Sequence, residues 1–231
     1  MYTPQILYAP LHSVVTDPST GTRQSFWEWG DGQVEVGIWE CEPGTLNGPT
    51  GDYDEMMYMV AGRATVTHGD GDYDGDDGDY DLSPATLWVT PRNWPGTWTI
   101  HQTVRKLYVI DHRGGGAAPW AHMPNAHVVE VGNTKPRVPI EGDPHESTNV
   151  LWKNNGLDVG IWECTPGKFA ASRIGYDEVF ICLSGQATMS ADNGMRFDLA
   201  AGSVLYTPAG FTGTWNVTET FRKVYCLIND R

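Results

Sequence analysis

Apolar and polar residues alternate along short segments of this chain, and turn-forming residues separate the segments. Residues 34–41 form one such segment, which is rich in β-branched and aromatic residues and is stopped by Pro43-Gly44. Comparable segments recur at intervals of about eight to twelve residues, and no stretch keeps the period of an amphipathic helix. The pattern predicts an all-β sandwich or barrel.

The first half of the chain shows these strands most clearly. The predicted strands are residues 25–29, 34–41, 55–60, 64–67, 87–90, 97–101 and 106–110, with a further edge or crossover strand within residues 6–15. Ala61-Gly62-Arg63 has the composition of a turn, so residues 55–60 and 64–67 are predicted to pair as a hairpin. In the second half, residues 136–147 are predicted to form a polar loop.

An internal duplication organises the whole chain. The hexapeptide Val-Gly-Ile-Trp-Glu-Cys occupies residues 36–41 and again residues 159–164, each time followed by Pro-Gly after one intervening residue. Further matches are Tyr53-Asp54-Glu55 with Tyr176-Asp177-Glu178, and Gly96-Thr97-Trp98 with Gly213-Thr214-Trp215. The repeats predict an N-terminal domain at residues 1–112, a linker at residues 113–126 and a C-terminal domain at residues 127–231.

The charge balance restricts the partners. The 29 acidic residues exceed the 15 basic residues, which leaves a net charge of -14 and repels phosphate backbones and anionic lipids. We therefore expect neither nucleic acid nor membrane as a partner. No apolar run reaches the roughly twenty residues that span a bilayer, and residues 1–10 lack the features of a secretion signal. A cytoplasmic location is expected.

An acidic insertion distinguishes the first repeat from the second. Asp70, Asp72 and Asp74 have the spacing that opens a calcium loop, and Asp81 stands where a closing carboxylate would fall. A tract rich in Asp and Gly can also match this pattern by composition alone. The alternative is a solvated hairpin tip.

Two spacings in the second repeat resemble the motifs of the cupin superfamily. Glu178 is followed after six residues by Gly185, and Gly202 is followed after five residues by Pro208-Ala209-Gly210. The surrounding sequence is similar to the branch that includes the ethanolamine-utilisation Q protein and ureidoglycine aminohydrolase-like proteins. The resemblance implies two consecutive cupin barrels, each a double-stranded β-helix or jelly roll, and leaves both a monomer and a homodimer open. The first repeat matches less closely, because Ala85 and Asn93 replace two glycines of the second motif.

The chain departs from the family at the metal ligands. Three histidines and one glutamate hold the metal of a typical cupin. The places of the first two histidines fall within residues 171–174, which include Arg173 but no histidine, and the third is Gly213, or Gly96 in the first repeat. A single carboxylate does not hold a transition metal. We therefore predict no metal and no other cofactor in either barrel.

The resemblance points Glu178 into the barrel, and strand alternation then places further side chains on the same face. The predicted catalytic residues are Glu178, Tyr176, Glu55 and Tyr53. The predicted ligand-binding residues are Trp98, Trp215, Arg173, Lys106, Lys223, Tyr108, Tyr225 and Met57. Burial beside an indole is expected to raise the pKa of Glu178 towards neutrality. The alternative is that Glu178 pairs with Lys223 or Arg222 and that the tryptophans only fill the barrel.

Three functions follow from these residues. The first is a metal-independent enzyme on a small molecule, an isomerase, cyclase, hydrolase or lyase, with a Glu/Tyr acid–base pair. The second is a non-catalytic bicupin that binds a small ligand or acts in regulation. The third is a metal-dependent cupin with atypical ligands, for example Glu178 with Cys182 and histidines of the linker.

Overall fold

The structure is a computed structural model that describes residues 21–30, 32–47, 51–68, 78–114, 119–154 and 156–229. The predicted strand within residues 6–15 and the predicted calcium ligands Asp70, Asp72 and Asp74 lie outside these ranges. The chain divides into two compact units. Among the described residues, the first unit ends at Ala126 and the second begins at His127. No described helix is long and apolar enough to cross a membrane.

Each unit is a curled antiparallel sheet, which confirms the all-β prediction. The strands of the first unit are β1 (Thr22–Trp29), β2 (Val34–Cys41), β3 (Gly44–Leu46), β4 (Asp54–His68), β5 (Asp79–Leu82), β6 (Leu87–Thr90), β7 (Gly96–Asp111) and β8 (Ala121–Met123). They pair in the order β1-β2-β7-β4-β6-β8, while β3 pairs with β7 and β5 pairs with β4. The segment predicted as a linker thus contributes β8 to the first unit.

The second unit repeats this plan. Its strands are β9 (Lys135–Pro136), β10 (Pro139–Gly142), β11 (His145–Lys153), β12 (Leu157–Cys164), β13 (Gly167–Ser172), β14 (Tyr176–Ala191), β15 (Arg196–Leu199), β16 (Val204–Thr207) and β17 (Thr212–Asn229). The order is β10-β13-β17-β12-β11-β9, and β14 pairs with β15, β16 and β17. The predicted polar loop at residues 136–147 is wrong, because β10 and the start of β11 lie there.

The predicted hairpin in the first unit is also wrong. Residues 54–68 form one continuous strand, β4, whose register against β7 shifts between Met59 and Ala64. Gly62 lies in this irregular stretch at a φ of 86°, and a Cβ there would collide with the carbonyl oxygen of Thr103. The turn-like composition therefore marks a bulge at which the strand bends without reversing.

The bulges place the two halves of each long strand in different layers. One half of β7 pairs with β3, and its other half pairs with β2. In the second unit, β17 pairs with β13 through residues 212–217 and with β12 through residues 221–228. Each core lies between the two layers and is lined by alternate residues of the long strands.

The second cupin motif matches less closely in the first repeat, yet its backbone has the same conformation as in the second repeat. Ala85 has a φ of 74° and Asn93 a φ of 56°, while the glycines at the corresponding positions, Gly202 and Gly210, have φ values of 85° and 81°. The left-handed conformation is thus retained where the glycine is not.

Candidate functional site

Three neighbouring strands of the second unit present one row of side chains to the core. Gly160 pairs with Tyr225 and Trp162 pairs with Lys223 across β12 and β17. On the other side of β17, Tyr225 pairs with Phe180 of β14. Directly paired residues in a sheet share a face. Glu178, two residues before Phe180, therefore lies on the same inward face.

A buried carboxylate held by two cations forms the centre of this lumen. The Lys223 Nζ lies 2.7 Å from the Glu178 Oε1, and a guanidinium nitrogen of Arg173 contacts the Glu178 Oε2. The Arg173 Nε donates to the hydroxyl of Thr207 at 3.0 Å, and the Arg173 Nη1 donates to the backbone carbonyl of Ser172 at 3.1 Å. Both oxygens of Glu178 are thus compensated although only 4% of the residue is exposed.

The predicted rise in the pKa of Glu178 is wrong. Burial alone would raise the pKa of this carboxyl, but the positive charges of Arg173 and Lys223 outweigh burial and lower the pKa below its ordinary value. The interpretation that Glu178 pairs with Lys223 is therefore the one the structure supports. Arg222, the other predicted partner, pairs with Glu163 at 3.0 Å instead.

Aromatic rings surround the ammonium group of Lys223. Its Nζ lies 4.3 Å from the ring centroid of Phe180, 4.8 Å from that of Trp162 and 5.2 Å from that of Trp215. These distances are within the range of cation–π attraction. Burial among these rings lowers the pKa of Lys223, although the charge of Glu178 opposes the shift.

A cavity of about 330 Å³ opens beside this cluster. It brings together all six residues predicted for the site in the second repeat, which are Arg173, Tyr176, Glu178, Trp215, Lys223 and Tyr225. The charged residues that line it are Arg137, Arg173, Lys223, Glu146 and Glu178. Three cations against two carboxylates give the lining an excess of one positive charge, in a protein whose net charge is -14.

A second ion pair lines the same cavity. The Arg137 Nη1 lies 3.1 Å from the Glu146 Oε1, and the guanidinium of Arg137 lies 4.8 Å from the ring centroid of Phe169. The Glu146 Oε2 also accepts a hydrogen bond of 2.8 Å from the indole nitrogen of Trp162. Glu146 therefore fixes the indole of Trp162 against the cavity.

The repeated glycine of the hexapeptide makes room for a tyrosine. A Cβ at Gly160 would lie 2.7 Å from the hydroxyl oxygen of Tyr225, and one at Gly37 would lie 2.5 Å from the hydroxyl oxygen of Tyr108. Burial raises the pKa of both phenols, so both stay protonated at neutral pH. Tyr176 is only half-buried, and its hydroxyl donates to the backbone carbonyl of Ser172 at 3.4 Å.

Among its described residues, the first barrel has a similar ion pair without an arginine. The Lys106 Nζ lies 2.8 Å from the Glu55 Oε1 and 2.9 Å from the sulfur of Met57. It also lies 4.9 Å from the ring centroid of Trp39 and 5.1 Å from that of Trp98. The position that corresponds to Arg173 is Thr50 by sequence, outside the described residues. The side chains of Met57 and Trp98 belong to the core cluster of this barrel.

The remaining predicted residues of the first barrel are Tyr53 and the buried Tyr108. Tyr53 is half-buried and its ring packs edge-on against His112 at 5.3 Å between centroids. The hydroxyl of Tyr108 shares a hydrogen bond of 3.1 Å with the hydroxyl of Ser25. The hydroxyl of Thr90, which corresponds to Thr207, is buried and has no hydrogen-bond partner among the described residues.

Comparison with known proteins identifies the family. The model of the EutQ-like cupin domain matches residues 29–108 and again residues 154–225. The chain belongs to the EutQ-like cupin domain family. Both repeats are thus cupin domains, and the resemblance to the cupin superfamily seen in the sequence is confirmed. Direct sequence comparison with curated proteins finds no match.

Solved structures confirm the fold. A protein of unknown function from Pseudomonas syringae pv. tomato is 19% identical, with a TM-score of 0.72 over 89% of this chain and 86% of that one. A cupin 2 conserved barrel domain protein from Leptotrichia buccalis is 12% identical, with a TM-score of 0.69 over 94% of this chain and 92% of that one. A mutant of salicylate 1,2-dioxygenase from Pseudoaminobacter salicylatoxidans is 10% identical, with a TM-score of 0.60 over 85% of this chain and 70% of that one.

The residues of this cupin lumen do not fit a metal ion. Two cationic side chains contact the carboxylate of Glu178, where a metal would need further anionic or neutral donors. Burial raises the pKa of Cys182, the atypical ligand considered from the sequence, to about 12, so its sulfur remains a thiol. Among the described residues, no group of three His, Cys, Asp or Glu side chains is placed to hold a metal.

The site predicted from the sequence omitted several residues that line the cavity, among them Trp162, Arg137 and Glu146. Trp162 could have been found, because it stands two residues after Gly160 in a strand and therefore shares the inward face. Arg137 and Glu146 lie in the segment predicted as a loop, where no strand alternation indicated which side chains face inwards. In the first cupin domain, Gly21 stands where the second has Glu146, as the pairings of Thr22 with Glu40 and of Ser147 with Glu163 show.

Proposed function

We propose that the second cupin domain binds a small organic anion in its lumen, without a metal. The observation that carries this proposal is the convergence of Arg173 and Lys223 on the single carboxylate of Glu178 at the wall of the cavity. The two buried cations share the single negative charge of Glu178. A bound anion would supply a second negative charge. Charge-assisted hydrogen bonds to such an anion are among the stronger interactions in proteins.

The cavity also indicates the size and shape of the anion. Its volume of about 330 Å³ is near the lower end of the roughly 300–1,000 Å³ range of ligand pockets. Trp162 and Trp215 form an aromatic wall with ring centroids 5.8 Å apart, which suits the flat body of a small molecule. A carboxylate of low molecular mass with a planar or apolar body matches both features.

Calorimetric titration with a panel of small carboxylates tests this proposal. Arg173→Gln removes one of the two cations, and loss of a charged hydrogen bond of about 1.5–3 kcal/mol should weaken binding about 10- to 100-fold. The matched control is Arg196→Gln, which changes an arginine whose side chain is 67% exposed and should leave the affinity unchanged. The proposal fails if no carboxylate binds, or if both variants bind as the wild type does.

Acid–base catalysis on the bound anion is the second candidate. Tyr176, Glu178 and Lys223 line one cavity, which favours an enzyme of the isomerase or lyase type. Because its pKa is lowered, Glu178 is a weak base, so Lys223 is the better proton carrier of the three. Exchange of a ligand C–H proton into deuterated water, followed by NMR, measures this activity. Exchange that persists in Lys223→Met would refute the role of the lysine.

A further inference from the structure

We propose that Lys223 forms a protonated imine with the carbonyl carbon of a small 2-oxo acid bound in the lumen of the second barrel. This inference rests on the proposed function, since the carboxylate of the 2-oxo acid is the anion that the cavity binds. It adds a covalent step and names the substrate class.

The hydrogen bonds of Lys223 leave two of its donors available. A protonated lysine has three N–H donors, and Glu178 accepts from one of them. No other described residue accepts a hydrogen bond from this nitrogen, which otherwise faces the rings of Phe180, Trp162 and Trp215 and lines the cavity. Because Lys223 lines the cavity, a molecule bound there lies beside a nitrogen that has donors to spare.

The covalent step uses these two donors and keeps the third. The nitrogen bonds to the carbonyl carbon, the π electrons of the carbonyl move to its oxygen, and that oxygen takes up both protons and leaves as water. The product is a C=N bond that carries one N–H and one positive charge, so the charge beside Glu178 does not change. The N–H bonded to the Glu178 Oε1 and the contacts with the aromatic rings both persist. No oxidant, reductant or cofactor is needed.

Arg173 is placed to orient the substrate. A guanidinium has five N–H donors. Three of them are used by Thr207, the backbone of Ser172 and Glu178, which leaves two for the carboxylate of the substrate. In a 2-oxo acid the carbonyl carbon is bonded to the carboxylate carbon. An arginine that holds the carboxylate beside Glu178 therefore also brings the carbonyl carbon towards Lys223.

Arg173 also allows the nitrogen to react. To attack the carbonyl carbon, Lys223 must first give up one proton, which would leave a buried carboxylate without its partner. Because Arg173 contacts the other oxygen of Glu178, this carboxylate stays compensated during the attack. In the first barrel Lys106 also contacts a glutamate, but the place of Arg173 is Thr50 in the sequence. Lys106 therefore serves as an internal control for a buried lysine of similar surroundings.

Reductive trapping tests the imine directly. The full-length protein is incubated with pyruvate or 2-oxobutyrate and sodium cyanoborohydride, and the modified lysine is located by peptide mass spectrometry. We expect one modification, at Lys223, in the wild type and in Lys106→Arg. Lys223→Arg should abolish it while keeping a cation beside Glu178. Arg173→Gln should reduce trapping at least about tenfold, because it removes the anchor of the carboxylate.

A parallel titration separates failure of this inference from failure of the proposed function. Lactate, the 2-hydroxy acid that corresponds to pyruvate, has the carboxylate but no carbonyl. If lactate binds and pyruvate is not trapped at Lys223, anion binding stands and the imine is refuted. If neither acid binds but another carboxylate does, only the imine is refuted; if no carboxylate binds, both proposals fail. Trapping that is spread over exposed lysines such as Lys153, or that is equal at Lys106 and Lys223, also overturns the inference.

Discussion

Removal of the buried lysine should affect the two barrels differently. Lys106 and Lys223 each contact a buried glutamate, at 2.8 Å and 2.7 Å. We predict that Lys106→Met destabilises the first barrel much more than Lys223→Met destabilises the second. Methionine keeps much of the apolar volume of the lysine side chain and removes only its charge.

The magnitude follows from what remains beside each carboxylate. Removal of one partner of a buried ion pair costs about 3–5 kcal/mol, because the other charge is left uncompensated. This is the expected cost of Lys106→Met. In Lys223→Met, Arg173 still contacts Glu178, and the lowered pKa of Lys223 shows that burial already disfavours its charge. The expected cost is therefore about 0–2 kcal/mol.

Hydrogen exchange measured by mass spectrometry reports the stability of each barrel separately. The readouts are the slowest-exchanging peptides of β4 and β7 for the first barrel, and those of β14 and β17 for the second. Equal losses in the two variants would refute the reasoning, because they would show that Arg173 does not compensate Glu178. A circular dichroism spectrum of each variant checks that the β-structure is retained.

Three further predictions concern the second barrel. Gly160→Ala should cost about 2 kcal/mol or more in urea unfolding, because the new methyl group meets the backbone carbonyl oxygen of Asn149 and the hydroxyl of Tyr225. The same change at Gly44 of the first barrel, where a Cβ meets nothing within 4 Å, should cost less. Glu178 has a lowered pKa in the folded protein, so the stability it contributes is complete above the ordinary glutamate pKa of about 4.3 and is lost at lower pH. The difference in unfolding free energy between wild type and Glu178→Gln should therefore shrink below that pH. Glu146→Gln should weaken the hydrogen bond from Trp162 and change its fluorescence, at a cost of about 1 kcal/mol.

Strand alternation was enough to predict one wall of the site. The inward face of β14, β12 and β17 follows from the period of two, once the family resemblance points Glu178 inwards. Alternation placed Lys223 and Tyr225 on one face, and the family motif placed Arg173 at a former histidine position; all three line the cavity. The duplication added a second observation of each position, which separated inherited residues from those present in one barrel alone.

The protonation of the site could not be predicted in the same way. Burial raises the pKa of a carboxyl and nearby cations lower it, so the direction depends on contacts of a few ångströms that the sequence does not contain. Two cations contact Glu178, and they decide the sign. The predicted hairpin at Gly62 was wrong for a related reason. The same composition occurs in turns and in bulges, and only the long-range pairing of β4 with β7 distinguishes the two.

The comparison of the two barrels indicates how an inward carboxylate persists where a lysine, and no described histidine, pairs with it. A buried carboxylate needs a positive charge nearby, and in this chain a lysine held among aromatic rings provides it in both barrels. In the described part of the first barrel, Lys106 alone balances Glu55. In the second barrel Arg173 adds a second cation beside the same carboxylate, so these three side chains carry one excess positive charge. The proposed anion site therefore belongs to the second barrel, because the first repeat has Thr50 at the position of Arg173.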